Sequence, residues 1–148
     1  MKTIIFDFDG TLADSKVVFR DAWNEFAPQF HYKKVELSDI QATNHMTLNE
    51  RAKHFQFPMH KLPIILPKIY RYFHDHIEEI TLFEGMKAVI EHLVASGYTV
   101  YVLSSNKKEN IEQVLVRHDV TVRQVLTSSK LFGKDRVLKR LMKEQKLA

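Results

Sequence analysis

The sequence predicts an α/β protein built on a doubly wound parallel sheet that is interrupted by an all-helical insertion. Three observations lead there. Two apolar, β-branched runs each stop at a cluster of small polar or acidic residues, amphipathic helical stripes follow them, and the stretch from 14 to 81 carries apolar residues only at helical spacing.

Residues 3–8, TIIFDF, form a nearly continuous apolar run closed by Asp9-Gly10, the pattern of a strand buried on both faces of a parallel sheet. Residues 98–103, YTVYVL, repeat it and end in Ser104, Ser105 and Asn106. Before this second strand, Met86, Val89, Ile90, Leu93 and Val94 fall on one helical face and Gly97 supplies the stop, which predicts a core-facing crossover helix. After it, Asn106 with Glu109 three residues on predicts a capping box, opening a helix striped by Ile111, Val114, Leu115 and His118. Val122, Val125 and Leu126 suggest a third strand, and Val137, Leu138, Leu141 and Met142 a last helix.

Within the insertion, Phe19, Ala22, Trp23 and Phe26, then Leu66, Ile69, Tyr70, Phe73 and Ile77, recur at helical spacing, and no strand is expected. Pro28, Pro58, Pro63 and Pro67 fall where helices should start or stop, and Thr47 with Glu50 predicts another capping box. The domain reading is therefore residues 1–13 with 82–148 as an α/β core and 14–81 as a helical insertion.

Composition narrows the function. The 148 residues contain no cysteine, which excludes disulfides, thiolate metal sites and a cysteine nucleophile and makes a cytoplasmic address the default. Asp7 and Asp9 break the N-terminal apolar run before a signal-peptide core can form, and no stretch approaches the roughly 18 apolar residues that span a bilayer. The net charge of +4 is scattered rather than blocked, so it marks a mild preference for anions and not a nucleic-acid or membrane surface. His74 and His76, two apart on a helix, point away from each other and cannot chelate one ion. Oligomeric state is not legible.

In an open parallel sheet, ligands bind beyond the carboxyl ends of the strands, where Asp7 and Asp9 meet Ser104, Ser105 and Asn106. Two carboxylates two residues apart in an extended segment share a side and repel unless a cation or proton intervenes; a hard, oxygen-seeking ion such as Mg²⁺ is the natural answer. Gly10 lets the chain turn at once and present backbone N–H groups to phosphate oxygens.

The run IIFDFDGTLADS resembles the signature of the haloacid dehalogenase superfamily. Its fixed part, Asp-x-Asp-Gly-Thr, arises by chance in a chain of this length on the order of once in a thousand. The superfamily's second motif, a Ser or Thr ending an apolar strand, is matched at Ser104, and its third, a Lys soon after the third strand, at Lys134 in LFGKDRVLKRL. The resemblance implies a three-layer Rossmann-like core with an all-helical cap, as in the subfamily of phosphoglycolate phosphatase and β-phosphoglucomutase. A cap of this kind excludes water and reads the non-phosphate end of a small phosphorylated metabolite.

The same resemblance implies roles. Asp7 would attack phosphorus and form an aspartyl-phosphate, its carboxylate also binding Mg²⁺ beside the Asp9 main-chain carbonyl. Asp9 would be general acid, then general base, and Thr11 would help orient it. Ser104 would hydrogen-bond the transferring group, Gly10, Thr11, Ser105 and Asn106 would line the phosphate, and Lys134 would neutralise charge. The second acid favours a phosphatase or phosphomutase over a dehalogenase, whose leaving group needs no such proton donor. A fourth motif, an acid pair at the end of a further strand, is missing. The chain is therefore read as the N-terminal portion of a longer protein, with a truncated, non-catalytic binding domain as the alternative, and TIIFDF is expected to form an open sheet edge.

Overall fold

A computed structural model describes residues 2–128 and 133–146. The chain divides into two compact units, Met1–Asp14 with Ile80–Ala148, and Ser15–Glu79.

In the first unit, β1 (Lys2–Phe6), β4 (Tyr98–Ser104) and β5 (Gln124–Thr127) form a parallel sheet in the order β1-β4-β5. Parallel neighbours need a crossover, and the chain supplies helices α5 (Met86–Ala95) and α6 (Lys108–Arg117); α7 (Lys134–Glu144) follows β5. The central strand is buried from Val100 onward because both its faces are covered. Tyr101 and Leu103 point to one face and pack with Leu126 and with Leu141 of α7, with Ile5, Val137 and Leu138 alongside. Val100 and Val102 fill the other face; α5 packs on β4 and α6 on β5. Gly97 stops α5 at φ +84°, a left-handed conformation that glycine adopts without steric cost.

Three sequence expectations change here. Among the described residues β1 is the edge of the sheet, as expected from the missing fourth motif, and it is therefore half-exposed along its length rather than buried on both faces as its apolar pattern predicts. It also ends at Phe6, not residue 8, because the Phe8 carbonyl accepts the N–H groups of Thr11, Leu12 and Ala13 at 3.0–3.2 Å and closes a tight turn. A two-residue ribbon, β2 (Ala13–Asp14) antiparallel to β3 (Thr81–Leu82), was not expected; it is too short to carry a period-2 pattern. The α6 terminus secures it, with the Arg117 guanidinium donating to the Ile80 carbonyl and the Leu82 N–H donating to His118 Nε2 at 3.4 Å.

The second unit contains α1 (Lys16–Phe30), α2 (Leu37–Ala42), α3 (Leu48–His54) and α4 (Leu62–Asp75), with α1 packed on α4 and α2. Thr47 caps α3 as expected: its hydroxyl accepts the Glu50 N–H at 3.3 Å, and Glu50 accepts the Thr47 N–H at 2.7 Å. The prolines do not all mark ends, since Pro28 lies inside α1 and Pro67 inside α4. A helix-interior proline costs about 3 kcal/mol. Ile65, Ile69 and Phe73 are buried on one stripe of α4, each worth about 1.5–3 kcal/mol, and together they outweigh the interruption.

Trp23 organises the end of α1. Its indole N–H donates to the Lys33 carbonyl at 2.8 Å, and its ring lies 4.6 Å from Tyr32 and 5.0 Å from Phe57. The Tyr32 hydroxyl donates to the Trp23 carbonyl at 2.7 Å, and burial pushes its phenol up from 10.0 to about 12. Below pH 10 both folded and unfolded chains keep this proton; between 10 and about 12 the unfolded chain releases it first, so stability falls as pH rises through that window. Thermal melts should show a steeper alkaline loss for the native chain than for Tyr32→Phe, which cannot ionise.

Candidate active site

Phe6 pairs with Val102, so Asp7 and the Ser104–Asn106 segment leave adjacent parallel strands at the same carboxyl edge. Asp7 and Asp9 both lie beyond the strand, on either side of Phe8, whose fully buried ring anchors the loop. Gly10 follows at φ +77°, strained for any residue with a Cβ, and its N–H donates to the Ala13 carbonyl at 2.9 Å.

The Asp7 carboxylate receives two donors on one oxygen. Lys134 Nζ, the first residue of α7, donates to Oδ1 at 2.9 Å, and the Phe8 N–H donates to the same atom at 2.8 Å. Among the described residues both donors fall on Oδ1, and no hydrogen bond to Oδ2 is formed. The lysine and aspartate side chains are 36% and 46% exposed, an ion pair worth only about 0–1 kcal/mol to stability. Its significance is positional: a cation is fixed beside a carboxylate distant in sequence.

Asp9 is held differently. Asn106 Nδ2 donates to Asp9 Oδ2 at 3.2 Å, while Asn106 Oδ1 accepts the Lys107 N–H at 2.7 Å and Asn110 Nδ2 at 3.0 Å. The expected Asn106–Glu109 capping box is thus absent; α6 starts one residue later, with Lys107 at its N-cap, because the Asn106 side chain is committed to Asp9 and Asn110. Thr11 donates its main-chain N–H to the Phe8 carbonyl at 3.2 Å. Ser104 is 1% exposed and its Oγ accepts the Asn106 N–H at 3.1 Å, whereas Ser105, one residue on, is half-exposed.

Asn110 escaped the sequence reading. The signal was present, because it falls in phase with Ile111, Val114 and Leu115, and a buried amide within an apolar stripe demands partners. His76 stacks on Tyr72 with ring centroids 3.9 Å apart, and among the described residues no group of three or more His, Cys, Asp or Glu could hold a metal ion. Nor is any described helix long and apolar enough to cross a membrane.

The haloacid dehalogenase-like hydrolase family model matches residues 4–148. The chain belongs to the haloacid dehalogenase-like hydrolase family. Among curated relatives, it is 32% identical over 120 residues to a phosphoglycolate phosphatase from Synechococcus elongatus, a match covering 79% of this chain and 55% of that protein. The chain thus spans little more than half the length of that relative. Among solved structures, the fold matches a haloacid dehalogenase-like family hydrolase from Streptococcus pneumoniae with a TM-score of 0.75 at 18% identity, covering all of this chain and 71% of the other. It also matches CbbY from Rhodobacter sphaeroides, solved in complex with xylulose-1,5-bisphosphate, with a TM-score of 0.69 at 16% identity over 99% of this chain and 73% of that one. At such identities these structures establish the shared fold: the α/β architecture with a parallel sheet expected from the sequence is the haloacid dehalogenase-like one.

Proposed function

We propose that the chain carries the phosphoryl-transfer site of a phosphatase acting on a small phosphomonoester, with Asp7 as nucleophile. One observation carries this reading: Lys134 and the Phe8 N–H both occupy Asp7 Oδ1, leaving Oδ2 to attack. The lysine held beside Asp7 offsets negative charge where the phosphate would sit.

In the first step Asp7 Oδ2 bonds to phosphorus as the ester P–O bond breaks, and Asp9 gives its proton to the departing oxygen. In the second, Asp9 takes a proton from water, the hydroxide attacks the phosphorus of the aspartyl-phosphate, and inorganic phosphate leaves with Asp7 restored. Ser104, Ser105 and Asn106 border the transferring group and Lys134 offsets its charge; the Gly10 and Thr11 N–H groups, expected from the sequence to face phosphate, are instead taken by the Ala13 and Phe8 carbonyls because the turn after Phe8 closes on itself. Of the two serines, Ser105 presents the more accessible hydroxyl.

The oxygen donors of Asp7 and the Asp9 main-chain carbonyl fit Mg²⁺, an ion that takes few protein ligands and fills its shell with water and phosphate oxygens. When bound, it would neutralise charge on the phosphate. Hydrolysis of an aryl phosphate is expected with Mg²⁺ and lost on chelation with EDTA, read as phosphate released; equal release with and without chelator contradicts the metal's part. The name of the Synechococcus relative makes phosphoglycolate the first natural ester to assay.

A further inference from the structure

We propose that Asn110 is a positioning residue for Asp9, acting through Asn106; the catalytic significance of this rests on the phosphatase reading above. Asn110 and Asn106 are each 1% exposed, and Asn110 falls on the buried stripe of α6 that Ile111, Val114 and Leu115 otherwise make apolar. A buried amide there is costly unless bonded. Asn110 Nδ2 donates to Asn106 Oδ1 at 3.0 Å, and the Lys107 N–H donates to the same oxygen at 2.7 Å.

Two donors on one oxygen fix which way the Asn106 amide faces. A flip would set its NH₂ group against the Lys107 N–H and the Asn110 NH₂, losing both bonds and opposing donor to donor. The remaining direction aims Nδ2 at Asp9 Oδ2, where it donates at 3.2 Å. The backbone N–H of Lys107 cannot move independently of the α6 start, but Asn110 is a side chain one helical turn along, so it is the replaceable half of the lock. Asn110 therefore sets the orientation of the carboxyl that must pass a proton to the leaving oxygen. Loss of such orientation costs on the order of tenfold to a hundredfold in rate.

The test replaces Asn110 with leucine, which keeps the volume and suits the apolar stripe but removes the donor, and with serine as a second, smaller variant. The first readout needs no turnover. In the full chain, the Asn106 side-chain amide resonances should move in Asn110→Leu in the direction they move when Asp9→Ala removes the acceptor, while backbone resonances of the sheet stay in place. The second is steady-state hydrolysis of an aryl phosphate, where kcat should fall tenfold or more with KM within about twofold. Unmoved Asn106 resonances in both variants overturn the proposal, as do moved resonances with native kcat in a chain that hydrolyses the ester through Asp9. If instead Asp7→Asn and Asp9→Asn leave hydrolysis unchanged, the phosphatase reading has failed, and the resonance arm still reports whether Asn110 orients Asn106.

Discussion

Asp7→Asn is expected to abolish phosphoester hydrolysis, a loss on the order of 10⁴-fold or more, as removal of a covalent nucleophile entails. The substitution is isosteric, and the carboxamide oxygen can still accept the Phe8 N–H that Oδ1 accepts at 2.8 Å. What disappears is the anionic oxygen on the far side of the group. The ion pair with Lys134 is lost too, but both side chains are more than a third exposed, so the melting temperature should hardly change. An inactive variant with a native melting curve is the expected outcome; an active one removes Asp7 from the chemistry.

Asp9→Asn should lower kcat by about 10²–10⁴-fold, the usual worth of a positioned general acid–base group. The amide can no longer give up or recover a proton, and its own NH₂ would face the Asn106 NH₂ that now donates to Oδ2 at 3.2 Å. The two steps should suffer unequally. With an aryl phosphate the departing phenolate needs little protonation, so attack by Asp7 continues while activation of water does not. Phosphorylated protein should therefore accumulate in this variant, visible as a burst of released phenol; a slow steady rate without a burst would deny Asp9 its role in the second step.

How much of this was legible follows from the kind of signal each feature leaves. β4 and α5 through α7 were visible because long apolar runs and helical stripes leave periodic traces, and Thr47 with Glu50 formed the capping box that its spacing announced. The apolar pattern of β1 read as doubly buried because composition cannot tell a central strand from an edge strand, whereas the missing fourth motif pointed to the open edge that the β1-β4-β5 order has among the described residues. Pro67 misled because a single breaker is read before the packing of Ile65, Ile69 and Phe73 that overrides it. At the site, Asp7 and Lys134 could be paired in advance through motif order, whereas the Asn110–Asn106–Asp9 chain depends on side-chain direction. The same pattern, asparagine followed by glutamate three residues on, fits a helix cap and a bridge to a distant carboxylate equally well, and the distant partner decides.

The most direct measurement asks where the phosphoryl group goes. The chain would be incubated with Mg²⁺ and an aryl phosphate, quenched in acid, digested and mapped by mass spectrometry, with Asp9→Asn used to build up the intermediate. A phosphoryl group on Asp7 is the result predicted here; turnover with that residue unmodified, or with the label on another side chain, would contradict it.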